Sequence, residues 1–197
     1  MMPADHPPAP TFDTLDTVIT QAVQEERIVG TVVLVAHHGQ IVYQRAAGWA
    51  DREAKKPMQP DTIFRLSSVT KPMVTAAAMR LEEEGRLPLQ APVTRWLPDF
   101  RPRAPQAAQA TQTETAEPRR PTITIEQLIT HTSGLSYSFM EDRNSPYARA
   151  KVSDGLNMDI SLAENLKRLG SVPLVYEPGK GWRYSLSIDV LGGVMEA

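Results

Sequence analysis

Two runs rich in β-branched and apolar residues, 30–36 and 41–48, stand only four residues apart, joined by His37-His38-Gly39-Gln40, and most of the chain after them reads as helix or loop. A short Gly-containing connection between two such runs predicts a β-hairpin. The first run, Gly30-Thr31-Val32-Val33-Leu34-Val35-Ala36, is apolar almost throughout, which predicts a strand covered on both faces. A two-stranded ribbon is marginal on its own in water. The hairpin therefore demands a larger mixed sheet. Its remaining strands are expected either beyond residue 197 or from a partner, a second copy of the chain included.

Around the hairpin the helical signals are clear. Leu15, Val18, Ile19 and Val23 recur at helical spacing over residues 12–26, with Asp13 and Asp16 near the start where the helix dipole favours them. Residues 61–67 lead into a helix expected over 68–84, with Gly85 placed to end it. Residues 88–98 are punctuated by proline, with Val93, Trp96 and Leu97 available for packing. The stretch 101–121, dominated by Ala, Gln, Thr, Pro and Arg, reads as a surface loop or insertion and holds part of the excess of the chain's 17 prolines. Thr124-Ile125-Glu126-Gln127 and Ser161-Leu162-Ala163-Glu164 are capping-box patterns. They predict helices to about Thr132 and Gly170, with irregular chain over 133–160 between them. After a loop at 173–181, a final helix is expected from Ser187, built on Ile188, Val190, Leu191, Val194 and Met195.

Charge and composition remove several function classes. With 21 basic and 23 acidic residues the net charge is −2, which is not the footprint of a nucleic-acid binder, and no polybasic patch favours an anionic membrane. Without cysteine there is no disulfide, thiolate metal site or Cys nucleophile. The N-terminus, Met1-Met2-Pro3-Ala4-Asp5-His6-Pro7-Pro8, lacks the basic and apolar regions of a secretory signal, and no apolar run approaches a membrane span; a cytoplasmic location is expected. No Gly-x-Gly-x-x-Gly, Walker loop or Gly-x-Ser-x-Gly is present, so neither a nucleotide cofactor nor the α/β-hydrolase mechanism is expected. His37-His38 reads as turn residues and not as a metal pair, because neighbouring strand residues point to opposite faces. No metal and no other cofactor is expected.

Ser68-Val69-Thr70-Lys71 is the only Ser-x-x-Lys in the chain. Three residues apart on a helix, the two side chains share a face. A Ser hydroxyl becomes a nucleophile when a base takes its proton, and a Lys can serve if its pKa is lowered by burial and nearby positive charge. Ser68 would also lie in the first helical turn, whose free N–H groups favour developing negative charge. The tetrapeptide by itself equally describes a solvent-facing helix turn with Ser67 as N-cap.

Longer segments resolve that choice. Phe64-Arg65-Leu66-Ser67-Ser68-Val69-Thr70-Lys71-Pro72 resembles the nucleophile motif of serine β-lactamases, penicillin-binding proteins and family VIII carboxylesterases. Leu128-Ile129-Thr130-His131-Thr132-Ser133-Gly134-Leu135 is similar to a segment recurring in that superfamily. Glu177-Pro178-Gly179-Lys180-Gly181-Trp182-Arg183-Tyr184-Ser185 resembles the stretch bearing its second motif. All three stand in the family's order and at about its spacing. The resemblance implies an α/β (α+β) fold of β-lactamase/transpeptidase type. Residues 1–11 would be a disordered N-terminus, 12–60 the N-terminal helix and hairpin of the α/β domain, and 61–197 the nucleophile helix and a helical domain. It further implies that Ser68 is acylated, that Lys71 is the general base, and that Tyr184 shares the proton and passes it to the leaving group. Tyr137 and Trp182 are expected to line the substrate cleft. His131, at the end of a helix where a cation suits the dipole, is expected to be structural.

Two departures from the family pattern shape the expected activity. The second motif reads Tyr184-Ser185-Leu186 where lactam-handling members usually carry Asn in third place, so Leu186, taken as a substrate-binding position, favours esters over β-lactams. The third motif, which supplies an oxyanion-hole N–H from a C-terminal strand, has no match. Loss of one such donor costs about 10²–10³ in rate. The expectation is the N-terminal half of a serine hydrolase acting on small-molecule carboxylic esters. A β-lactamase or D-alanyl-D-alanine carboxypeptidase relative is the second enzymatic reading, and a catalytically inactive binding module is the reading from another class.

Overall fold

His38 and Gly39 turn the chain with both residues at positive φ, 49° and 76°, the pairing that a type I′ hairpin turn requires. They join β1 (Gly30–His37) to β2 (Gln40–Asp51). The antiparallel register runs from Gly30↔Gly48 to His37↔Gln40, with a bulge between Val35 and Ala36. A third strand, β3 (Lys56–Pro57), pairs with β2 through Trp49↔Pro57 and Asp51↔Lys56, giving the order β1-β2-β3. Two residues, one of them proline, carry no alternation from which a strand could be read. The computed structural model in which these elements appear describes residues 12–105, 119–155 and 160–197. The N-terminal segment 1–11 and most of the stretch 101–121 lie outside the described residues. At the described edge of that stretch, Pro102 and Ala104 are buried, so it is not all surface loop.

The chain divides into two units, Met1–Arg65 and Leu66–Ala197. In the first, α1 (Asp13–Gln24) packs on β2. Ile19 and Ala22 are buried on its inner face. Asp16 fixes the helix to the sheet, accepting from the Tyr43 hydroxyl at 2.6 Å and from Arg45 Nη1 at 2.6 Å. The apolar run of β1 predicts burial on both faces, and the structure corrects this: β1 is half-buried to exposed, with Leu34 at 52%. Within its unit the sheet is three strands wide and β1 is an edge, so too few neighbours cover it.

The second unit is helical. A 3₁₀ turn, Ser67–Val69, opens α2 (Thr70–Glu83). The first capping box forms in full: Thr124 accepts from Gln127 N–H, and the Gln127 side chain accepts from Thr124 N–H, at the start of α3 (Ile125–Ile129). A single turn, α4 (Pro146–Arg149), interrupts the stretch expected to be irregular. Ser161 caps α5 (Leu162–Ser171), accepting from Glu164 N–H. The last helix, α6 (Ser187–Glu196), carries Ile188, Val190, Leu191 and Val194 inward and packs against α2, α3 and α5. Leu128, Leu135, Leu169 and Tyr147 complete this core. Each such apolar side chain stabilises the unit by roughly 1.5–3 kcal/mol when fully buried. Among the described residues no helix is long and apolar enough to cross a membrane.

Candidate active site

Ser68 sits in the 3₁₀ turn, just ahead of the first α-helical residue, Thr70, and Leu66 O accepts Val69 N–H at 3.1 Å. Immediately before it, Ser67 occupies the left-handed region at φ 48°, a conformation of order 1–3 kcal/mol above the ordinary regions for a non-glycine residue. The sequence places Ser68 at the start of the α-helix, and the solvent-facing reading of the tetrapeptide makes Ser67 the N-cap. The structure instead has Leu66 at that position with no side-chain cap. The i, i+3 relation survives, and Lys71 Nζ donates to Ser68 Oγ at 3.3 Å.

Two phenols meet the ammonium. Lys71 Nζ lies 4.8 Å from the centre of the Tyr184 ring and 5.6 Å from that of Tyr137. The Tyr184 and Tyr137 phenols both act on the Lys71 charge, and Ser68 acts on Tyr184. The loops that carry the tyrosines are threaded through each other. Gly134, at φ 84°, passes so close to Tyr176 that a Cβ there would lie 2.2 Å from Tyr176 O, so only glycine fits. Gly134 O accepts Val175 N–H at 2.9 Å, and Thr132 O accepts Gly179 N–H at 2.8 Å. Beyond the ring of Tyr184, Arg183 forms an ion pair with Glu141 while Ser136 Oγ donates to Glu141 at 2.6 Å, tying the Tyr184 segment to the Tyr137 loop.

Burial opposes the Lys71 charge, but hydrogen bonds it donates to the Tyr137 and Tyr184 phenolic oxygens outweigh it and hold its pKa above the ordinary lysine value. The direction is opposite to the lowering that favours a free-amine base. Burial opposes the Tyr184 phenolate too, but hydrogen bonds with Ser68 and Lys71 and the Lys71 charge bring this phenol below its ordinary value. Tyr137, held up by burial, moves the other way. Burial and the nearby Lys71 charge depress the pKa of His131, whose ring lies 4.9 Å from the Tyr184 ring.

Of the remaining expected residues, Tyr137 is 5% exposed and faces Lys71. Trp182 is on the rim, 68% exposed and edge-on to His131. Leu186 does not reach the site: at 1% exposure it belongs to the core beneath α6, so its expected place against a substrate is withdrawn. Two residues at the site were not picked out from the sequence. Phe139, 65% exposed, stacks on Tyr137 at 4.9 Å. Asp189, in the first turn of α6, is held above the ordinary carboxylate range by burial, with the Lys71 charge pulling it back down. Its position five residues after Tyr184, at the start of the last helix, was the available signal. Among the described residues no cluster of His, Asp and Glu is suited to hold a metal ion.

Ser68 thus lies against Lys71, whose ammonium faces the rings of Tyr184 and Tyr137. A family model described as Beta-lactamase matches residues 15–197, and the chain belongs to that family. It is 53% identical over 183 residues to Esterase EstB of Burkholderia gladioli, a match covering 92% of this chain and 44% of that protein. It is 30% identical over 187 residues to the Lovastatin esterase of Penicillium rubens, covering 92% of this chain and 46% of that protein. Among solved structures it is similar to "EstCE1, a hydrolase with promiscuous acyltransferase activity", with a TM-score of 0.83 and 45% identity over 93% of this chain and 46% of the other. The chain thus has the β-lactamase-like mixed α/β fold in part, and spans less than half the length of the curated relatives it matches.

Proposed function

We propose that this chain carries the nucleophile and proton-transfer groups of a serine hydrolase that cleaves carboxylic esters. The observation that carries the reading is Ser68 Oγ accepting from Lys71 Nζ at 3.3 Å, with the Tyr184 ring 4.8 Å from the same nitrogen. With Tyr184 as phenolate, Ser68 Oγ attacks the ester carbonyl carbon as its proton passes to the phenolate oxygen. The bond to the leaving alcohol then breaks, and the proton moves from Tyr184 to that alcohol, leaving an acyl-Ser68 and the phenolate. Water gives a proton to the phenolate as it attacks the acyl carbon, the bond to Ser68 Oγ breaks with that proton returned to Oγ, and the acid is released; a second alcohol in place of water gives acyl transfer. Lys71 stays charged and stabilises the phenolate. The names of the similar proteins, esterases and an acyltransferring hydrolase, support this substrate class. The same names favour esters over β-lactams. The edge position of β1 supports completion of the sheet by further strands, from the rest of a longer chain or from a second copy.

The test is intact-mass analysis after incubation with p-nitrophenyl butyrate and, separately, nitrocefin. The expected result is a butyryl adduct that disappears in Ser68→Ala, with no adduct or colour from nitrocefin. Reaction with nitrocefin and not the ester would replace this reading by the β-lactamase one.

A further inference from the structure

We propose that His131 is the positioning residue for Tyr184: it grips the backbone on both sides of that tyrosine, through its carbonyl and its imidazole Nδ1, and so sets where the phenol meets Ser68 and Lys71. The inference rests on the reading of Tyr184 as proton acceptor. Arg183 N–H donates to His131 O at 3.0 Å, and Ser185 N–H donates to His131 Nδ1 at 3.2 Å. The residue between those two donors is Tyr184. The His131 carbonyl also accepts from the Tyr176 hydroxyl at 3.1 Å.

This grip needs an unusual backbone and one ring state. His131 sits at φ 56°, the left-handed region that few residues other than Gly and Asn enter readily. There its carbonyl and its ring address the same short stretch of chain. Nδ1 can accept an N–H only when it carries no proton, so the imidazole is neutral with its hydrogen on Nε2. Burial and the Lys71 charge, which both disfavour the imidazolium, support the same state. Ser185 Oγ, 3.4 Å from Nδ1, continues into a buried chain through Ser187 Oγ to Ser133 Oγ, each step 2.7 Å. The accepting side of the ring is therefore anchored in the core while its face lies against Tyr184.

Two substitutions separate acceptor from ring. His131→Phe keeps an aromatic ring beside Tyr184 and removes the acceptor. His131→Asn removes the ring, keeps an acceptor the same number of bonds from Cα, and suits the left-handed backbone. With an alkyl fluorophosphonate as probe, labelling of Ser68 should slow roughly tenfold or more in His131→Phe, as expected when a buried donor loses its partner. It should return most of the way to the wild-type rate in His131→Asn. Ionisation of Tyr184, followed by ultraviolet difference absorbance, should move upward in His131→Phe and not in His131→Asn. Wild-type behaviour of His131→Phe, or failure of His131→Asn to rescue, overturns the inference. If the wild-type chain is not labelled, the nucleophile reading fails separately, and the tyrosine titration alone decides the role of His131. Should His131→Phe not fold, ¹⁵N spectra of the wild-type imidazole decide it, and a proton found on Nδ1 refutes the grip.

Discussion

Of the chain's five tyrosines, four are held above the ordinary phenol value, by burial first: Tyr43, Tyr137, Tyr147 and Tyr176. Tyr184 alone is brought below it, because its hydrogen bonds and the Lys71 charge overcome burial. The signs for the pair are complementary. A depressed phenol gives stabilisation that is present above its unfolded pKa and lost as pH falls through the folded one. The raised Lys71 gives stabilisation that is present below its unfolded pKa and lost as pH rises through the folded value. A spectrophotometric titration should therefore show one phenol ionising below about 10, missing in Tyr184→Phe. In Lys71→Met that step should shift upward, since the cation favouring the phenolate is gone. A step that stays in place in Lys71→Met would mean that Lys71 does not set the acceptor. At this scale Ser68, Lys71 and Tyr184 were readable because their motifs are local in the chain. The opposite shifts of Lys71 and Tyr184 were not, because they depend on Tyr137 and Tyr184 arriving from two interleaved loops. The burial of Leu186 was equally hidden, since its neighbours come from the helical core and not from its own motif.

Helix ends and turns were the most legible elements, because their signals are short-range chemistry. The His38-Gly39 turn and the Thr124–Gln127 box form as their residues dictate. What escaped notice were pieces without a period: β3, two residues long, and α4, a single turn begun by Pro146. Burial of β1 was misjudged for a related reason, since an apolar run states what a strand tolerates and not what covers it. The capping box offers a direct test. Thr124→Ala removes one of its two reciprocal bonds at the head of α3 and should cost about 1 kcal/mol. In a calorimetric scan that would lower the midpoint by roughly 3 °C. An unchanged midpoint would mean that α3 is held by Ile125 and Leu128 in the core and not by its cap.

For the molecule as a whole, Ser68, Lys71 and Tyr184 all lie in the unit Leu66–Ala197. The whole chain spans less than half the length of its curated relatives. The proposed activation of Ser68 by Lys71 and Tyr184 is thus contained within that unit, and it should be readable on this chain. Intact-mass analysis after exposure to an alkyl fluorophosphonate reads it in one step, with the wild-type chain run beside Ser68→Ala and Tyr184→Phe. A single adduct is expected on the wild-type chain, none on Ser68→Ala, and strongly slowed labelling of Tyr184→Phe. No adduct on a wild-type chain that circular dichroism shows to be folded, or an adduct indifferent to Ser68→Ala, would mean that these residues do not activate the serine.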